Sequence, residues 1–485
     1  MACQACRQRK VKCSGDEPCK QCSRLSLVCQ YAARSPNSRS RKWITRGEII
    51  DACRPSKTGS SPEQLVEKST TTSETQMLRT DEVTNQDIIL IQNAGFMDKI
   101  YEDYAEYVLP VIPIMSKAEF RNAAHESVVA NTRALVIVLT AITLHMTPGG
   151  AEGSQRHQLR VTALIVKALQ IHEPMLPGHE VDVGCVLVSL LTAVCFFANH
   201  HQPELAFYYL QEATIKLQMM HTAQSATTSS QPLEKRAQME RLHWLLFIHE
   251  RFFAISQYRP AVLTVPSSPP LRDPSWTDHI QDGFEQLIHL FRSVDHKFIE
   301  HWRNRQEPSM TLDWVRSKQA ELGENIESWE TQIIPLTAMQ QIDLIVTCYW
   351  LRILVWQMAL SRLLLNSEAG FEHDFISMVF PVSLTYRLQS YLESTPRQAV
   401  EVHGTGILRK IFDITITLAD VLEYVIGVTD HYEDENHSLD HFLFFYHYLI
   451  NMSDFYSVER SVLEDRKAKL LVLLPSVQTL SRDRI

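Results

Sequence analysis

Six cysteines crowd the first thirty residues of this 485-residue chain, at Cys3, Cys6, Cys13, Cys19, Cys22 and Cys29. The spacing, C-x2-C-x6-C-x5-C-x2-C-x6-C, is two C-x2-C pairs, each followed by a further cysteine after six intervening residues. A C-x2-C brings two thiolates onto one ion because the turn between them is tight, and the third cysteine returns after a short helix. Six sulfurs give two zinc ions four ligands each only if two of the sulfurs bridge. The expected centre is a binuclear zinc cluster. Its six thiolates and two zincs sum to about −2, which nearby Lys and Arg offset. Thirty residues are too few for a self-sufficient core, so the metal must supply the folding free energy. Two other readings stand beside this one: a disulfide framework, and a zinc module that binds only protein. Disulfides need an oxidising compartment and normally a signal peptide, whereas Met1 is followed at once by cysteines and charges with no apolar stretch.

The segment that positions these ligands also carries charge. Arg7-Gln8-Arg9-Lys10-Val11-Lys12 lies between the second and third cysteines, and Pro18 precedes the fourth. Spacing and basic run together resemble the fungal Zn2Cys6 binuclear-cluster transcription factors. The motif covers only about thirty residues but is specific to that family. In the family the first and fourth cysteines bridge the zincs, which here implies Cys3 and Cys19, with two Zn2+ ions as cofactor. The resemblance also implies that Lys10, on the short Cys6–Cys13 helix, reads a CGG triplet in the DNA major groove. Arg7, Arg9, Lys12 and Lys20 are assigned to phosphates, and Arg24 with them; such contacts position the module without choosing the sequence. The implied protein is a regulator of RNA polymerase II transcription, pathway-specific and nuclear, with double-stranded DNA and the transcription machinery as partners. A homodimer and a small-molecule effector remain open.

The overall charge of −9 would argue against nucleic acid, but it conceals a division. Residues 1–54 carry twelve Lys and Arg against Asp16, Glu17, Glu48 and Asp51, a net of +8 that leaves −17 for the remainder. A basic head on an acidic body is the pattern expected when only the head touches phosphate. Of the ten cysteines, Cys53, Cys185, Cys195 and Cys348 lie outside the cluster, and three of them sit in apolar runs, as buried free thiols do. The apolar runs Ala134–Leu144 and Cys185–Ala198 are too short to span a bilayer and read as buried helices, so the expectation is a soluble intracellular protein with no membrane partner.

Three regions follow along the chain: residues 1–33 as the cluster, 34–85 as a linker and 86–485 as a body. Between Ala32 and about Asn85 the apolar periodicity disappears; Arg34–Lys42 is basic and Ser-rich, and Thr58–Ser73 is almost wholly Ser, Thr, Pro and charge. Trp43–Ala52 is a short helical island within it, read as a marginal helix, and no heptad pattern persists there for a coiled coil. From about Asp87 helical periodicity takes over, so the expected class is all-α. Pro203 opens one helix with Ala206, Leu210, Ala213, Leu217 and Met220 on one face. Phe284, Ile288, Phe291, Phe298 and Trp302 read as another, and Ile342–Leu365 as the centre of the bundle.

Within the body, Arg241 to Arg251 (RLHWLLFIHER) followed by Tyr258-Arg259-Pro260 resembles the middle homology, or regulatory, region of the same family. Its Trp and Leu positions read as the core face of an amphipathic helix; in His249-Glu250-Arg251 the residue before the arginine is Glu250, where the family often has an aspartate. G-x-G-x-x-G, Walker A, G-x-S-x-G and H-E-x-x-H are absent, so no enzyme is expected. His200-His201 sits at a helix junction. Asp430–His441 (DHYEDENHSLDH) mixes carboxylates and imidazoles and reads as a solvated loop. Two rival readings remain, an enzyme with an added zinc module and a scaffold acting through protein contacts.

Overall fold

The computed structural model describes Lys20, Ile91 and the chain from Asn93 to Leu473, apart from residues 127–128, 148–153, 174–180, 201, 225–231, 275, 305–308, 332–335, 363–376, 429–434, 453–454 and 456. The chain divides into two units, Met1–Ser69 and Thr70–Ile485. The second unit is helical, and its described residues contain no extended strand.

It opens with α1 (Ala94–Asp103), whose N-cap Asn93 accepts from the Phe96 amide, and continues through a π-helical turn, Tyr104–Val108. Helix α2 (Lys117–His125) starts with a capping box between Ser116 and Glu119. Four longer helices follow: α3 (Ala130–Met146), α4 (Ser154–Ile171), α5 (Val183–His200) and α6 (Pro203–Gln224). They pack as neighbours, α3 on α4 and α5, and α5 on α6. Helices α3 and α5 contain the two short apolar runs and are buried over most of their circumference. Pro203 occupies the first turn of α6, where its missing N–H is harmless, and Ala206, Leu210, Ala213, Leu217 and Met220 all point into the core.

Helix α7 (Leu233–Ser256) is succeeded by an extended stretch, residues 257–274, and then by α8 (Asp278–Arg292) and α9 (His296–Arg303). The aromatic series Phe284 to Trp302 is therefore two helices where one was expected. Asp295 accepts from the Phe298 amide as the N-cap of the second, and all five named apolar residues are still buried.

Helix α10 (Leu312–Thr331) leads to α11 (Ala338–Ser361), the centre of the body. Helices α12 (Phe380–Ser394), α13 (Arg397–Glu401), α14 (Gly404–Val428), α15 (Glu435–Ile450) and α16 (Ser457–Leu473) complete the fold. Helix α11 alone among the described residues is long and apolar enough to cross a membrane, with mean hydropathy 1.5. It is instead surrounded by α8, α10, α12 and α14, with Trp350 and Trp356 fully enclosed. Their indole N–H groups donate to Asp413 (3.1 Å) and to the Ser377 carbonyl (2.9 Å). At its start, Gln340 donates to the carbonyls of His279 (3.0 Å) and Pro110 (3.4 Å). Gly283 makes this possible, because a Cβ there would stand 2.2 Å from Gln340 Nε2. Residues 363–365 of the expected central run lie outside the described residues.

Candidate nucleic-acid interface and the strapped helix

Of the residues assigned to DNA and zinc, the structure describes only Lys20, which is helical and exposed. Cys3, Cys6, Cys13, Cys19, Cys22, Cys29, Arg7, Arg9, Lys10 and Lys12 lie outside the described residues, as do Cys53, Arg24 and the 43–52 island. Among the described residues no group of three or more His, Cys, Asp or Glu is placed to hold a metal.

The body's polar chemistry concentrates on α7. Residues 257–274 contain Pro260, Pro266, Pro269, Pro270 and Pro274, each lacking an amide hydrogen, and cannot continue the helix. An extended chain on a protein surface needs partners for its backbone groups, and α7 supplies them. Glu250 accepts from the amides of Val262 (2.8 Å) and Leu263 (3.0 Å), while Arg251 donates to the carbonyls of Leu263 (2.5 Å) and Val294 (3.0 Å). Further along, Trp244 Nε1 donates to the Ser268 carbonyl (2.8 Å) and Glu240 accepts from the Leu271 amide (2.8 Å). Partners rise in number along the strap as they fall along the helix, so the strap runs back antiparallel to α7. It begins at Tyr258, which has φ 52°, the left-handed region, and stacks on Trp302.

Glu250 and Arg251 are 1% and 2% exposed, and their side chains pair at 2.7 Å. Burial pulls the Arg251 guanidinium down, and Glu250 opposes the shift. Trp244, Leu245, Leu246 and Phe247 are fully buried, as a core reading of the middle-region motif requires. Sequence reasoning found this helix but missed the strap. The signal was the run of prolines after Arg259, facing a helix whose charged residues had no reason to be buried.

A second polar group lies where α11 meets α14. Lys410 donates to Asp343 (3.0 Å) and Thr347 (2.6 Å). Burial alone would raise the Asp343 carboxyl, but the Lys410 ammonium, His403 and the Thr347 hydroxyl together hold it below the usual range. His249 and His403 are pushed down by burial, and each ring bonds a backbone carbonyl, of Leu245 and Met339. A third surrounds Lys216, which contacts His172 (3.0 Å), Ser189 (2.9 Å) and Glu212 (2.8 Å). Neither group sets a nucleophile against a base. Cys195 and Cys348 are buried free thiols pushed up to about 12, and Cys185 to about 11, in each case mainly by burial. His200 ends α5, and His201 lies outside the described residues. The Asp430–His441 tract differs from the expected loop: α15 begins at Glu435, because Leu439, Phe442 and Phe445 are buried on one helical face. His441 there contacts Gln389 and Tyr386.

Residues 1–38 match the model of the fungal Zn(2)-Cys(6) binuclear cluster domain. The maltose fermentation regulatory protein MAL13 of Saccharomyces cerevisiae is 22% identical over 454 residues, 89% of this chain and 85% of that protein. This chain carries a fungal zinc-cluster domain and is similar over most of its length to fungal regulators. The probable sucrose utilization protein SUC1 of Candida albicans is 26% identical over 223 residues, spanning 44% of this chain and 42% of that protein. The transcriptional regulator PUL4 of Kluyveromyces lactis is 31% identical over 103 residues, 19% of this chain and 17% of that protein. A zinc-cluster regulator binds zinc through its cysteines and DNA through the same module, and the family is not enzymatic. In this chain a helical body follows the cluster domain in sequence, and the run Arg241–Arg251 lies on the strapped helix α7.

Proposed function

We propose that this chain is a sequence-specific regulator of RNA polymerase II transcription acting in the nucleus. Residues 1–33 form the DNA-reading module, 34–85 a tether and 86–485 the regulatory body. Two Zn2+ ions are held by Cys3, Cys6, Cys13, Cys19, Cys22 and Cys29, with Cys3 and Cys19 bridging. Lys10 reads a CGG-like half-site, and Arg7, Arg9, Lys12 and Lys20 hold phosphates. The observation that carries the reading is the six-cysteine spacing with its internal basic run, inside the stretch matched to the cluster domain. The charge division supports it, since a body at −17 repels phosphate while a head at +8 attracts it. Relatives named for maltose fermentation and sucrose utilization support sugar-use genes as the first targets to examine. Binding as a homodimer would set the spacing of two half-sites.

Selecting bound sites from random duplexes with the full chain tests the proposal. The expected product is enriched CGG, alone or paired at a fixed spacing. Recovery of unenriched DNA would favour a scaffold that works through protein contacts.

A further inference from the structure

Helix α6 is apolar on two faces, and the body uses one of them. Ala206, Leu210, Ala213, Leu217 and Met220 are buried in the fold, whereas Leu205, Tyr208, Ile215 and Met219 are 41%, 61%, 56% and 44% exposed. With Glu212 these four stand at intervals of three, four, three and four residues, so they form one stripe along the outer side of the helix. That is the a and d spacing by which one helix packs on another. Single apolar side chains on a surface need no explanation, but four large ones aligned over about four turns mark an interaction site. The stripe carries no uncompensated charge. Glu212 is held by Lys216 at 2.8 Å, and Glu204 at the edge pairs with Arg259 of the strap. Gln211 and Gln218 continue that edge without charge.

We propose that this stripe is the surface on which a second copy of the chain docks, α6 against α6. Residues 55–485 sum to −17, so two bodies repel wherever acidic surfaces meet, and a neutral apolar stripe is where they can touch. A cationic partner would find no unpaired carboxylate on it. The order Leu-Tyr-Glu-Ile-Met also reads alike from either end, with large apolar side chains on both sides of Glu212. A two-fold contact, in which one patch meets itself, needs that property. An axis crossing α6 near Glu212 sets Leu205 against Met219 and Tyr208 against Ile215 across the interface. Glu212 at the centre fixes the register at some cost in affinity, as a lone polar residue does between paired helices. The four side chains offer on the order of 400 Å² per copy, about half of a standard interface, so a micromolar dissociation constant is expected. This contact gives the homodimer of the proposed function its surface and rests on that reading. The two are separable because association is measured without DNA.

The test is sedimentation of the zinc-loaded full chain without DNA, from about 1 to 200 µM, the range such an area supports. The expected result is a monomer–dimer equilibrium that high salt does not weaken, since no ion pair crosses the stripe. Tyr208 and Met219 should lose reactivity to hydroxyl radicals as the dimer forms, while Tyr386, 61% exposed on α12, should not. Ile215→Glu should weaken association at least about tenfold, because a two-fold contact buries the new charge twice. Val166→Glu, at an exposed position of α4, should leave it unchanged. Both positions are on the surface, and matching melting temperatures confirm that the variants fold. A chain that stays monomeric throughout, or a dimer that Ile215→Glu does not weaken, would overturn the proposal. Monomers whose Tyr208 is protected only by phosphatidylcholine vesicles would overturn it in favour of a lipid surface.

Discussion

Glu250 and Arg251 are consecutive residues on α7, yet both side chains converge on Leu263, one on its amide and the other on its carbonyl. Neighbouring helical residues do not ordinarily face each other. Here the carboxylate and guanidinium bend together, pair at 2.7 Å and grip the two peptide groups on either side of Leu263. The pair is buried and every nitrogen of the guanidinium is used, so removing one partner strands the other. Glu250→Ala or Arg251→Ala should each destabilise by about 3–5 kcal/mol. Losses below about 1 kcal/mol in chemical denaturation would show that the strap is held by packing alone.

The zinc head gives a prediction about stoichiometry. Two bridged ions require two zincs per chain, and Cys3→Ser or Cys19→Ser should release both, whereas Cys29→Ser perturbs chiefly one. Metal analysis of purified variants checks this. One zinc per wild-type chain would rule out the binuclear cluster.

Within the same head, reading and positioning should separate. Lys10→Ala should cost about 1–3 kcal/mol on a CGG duplex and little on a scrambled one. Lys20→Ala or Arg9→Ala should weaken both alike and lower the salt slope by roughly one. Affinities at two salt concentrations decide it, and an equal loss on both duplexes for Lys10→Ala defeats the base-reading role.

Acid should loosen the contact between α6 and α7. His243 is pushed down to about 4 by burial and by His221, whose ring centre is 5.2 Å away and which burial also lowers. The folded state therefore refuses a proton that the unfolded chain accepts below about 6.5. His243's contribution is fully present above that pH and falls away between about 6.5 and 4. His243→Gln should flatten the decline in melting temperature from pH 7 to 5. An imidazole resonance for His243 titrating near 6.5 would refute the mechanism.

Much of the body was legible because burial follows periodicity. The α6 face beginning at Ala206 and the aromatic core of α7 were read directly from spacing. Two features were not. The break at Ser293–Asp295 interrupts an apolar series whose spacing continues on both sides, so only the capping aspartate marks it. The strap contributes little periodic burial; its stability comes from side chains of α7 bonding a distant backbone, which no local pattern records. The head was legible for the opposite reason, since metal ligands require particular residues at particular intervals while helices tolerate many.

The bond from Gln340 to the Pro110 carbonyl joins residues 230 positions apart. On the ribosome, α1 and the loop after it are made long before the residue that secures them. At roughly 5–20 residues per second, that interval is about 10–50 s. During it α3, α5 and α7 are added in turn, and α7 packs in the finished body against the later α8 and α9. The position of one glutamine thus leaves the loop at Pro110 without this anchor until α11 has been made.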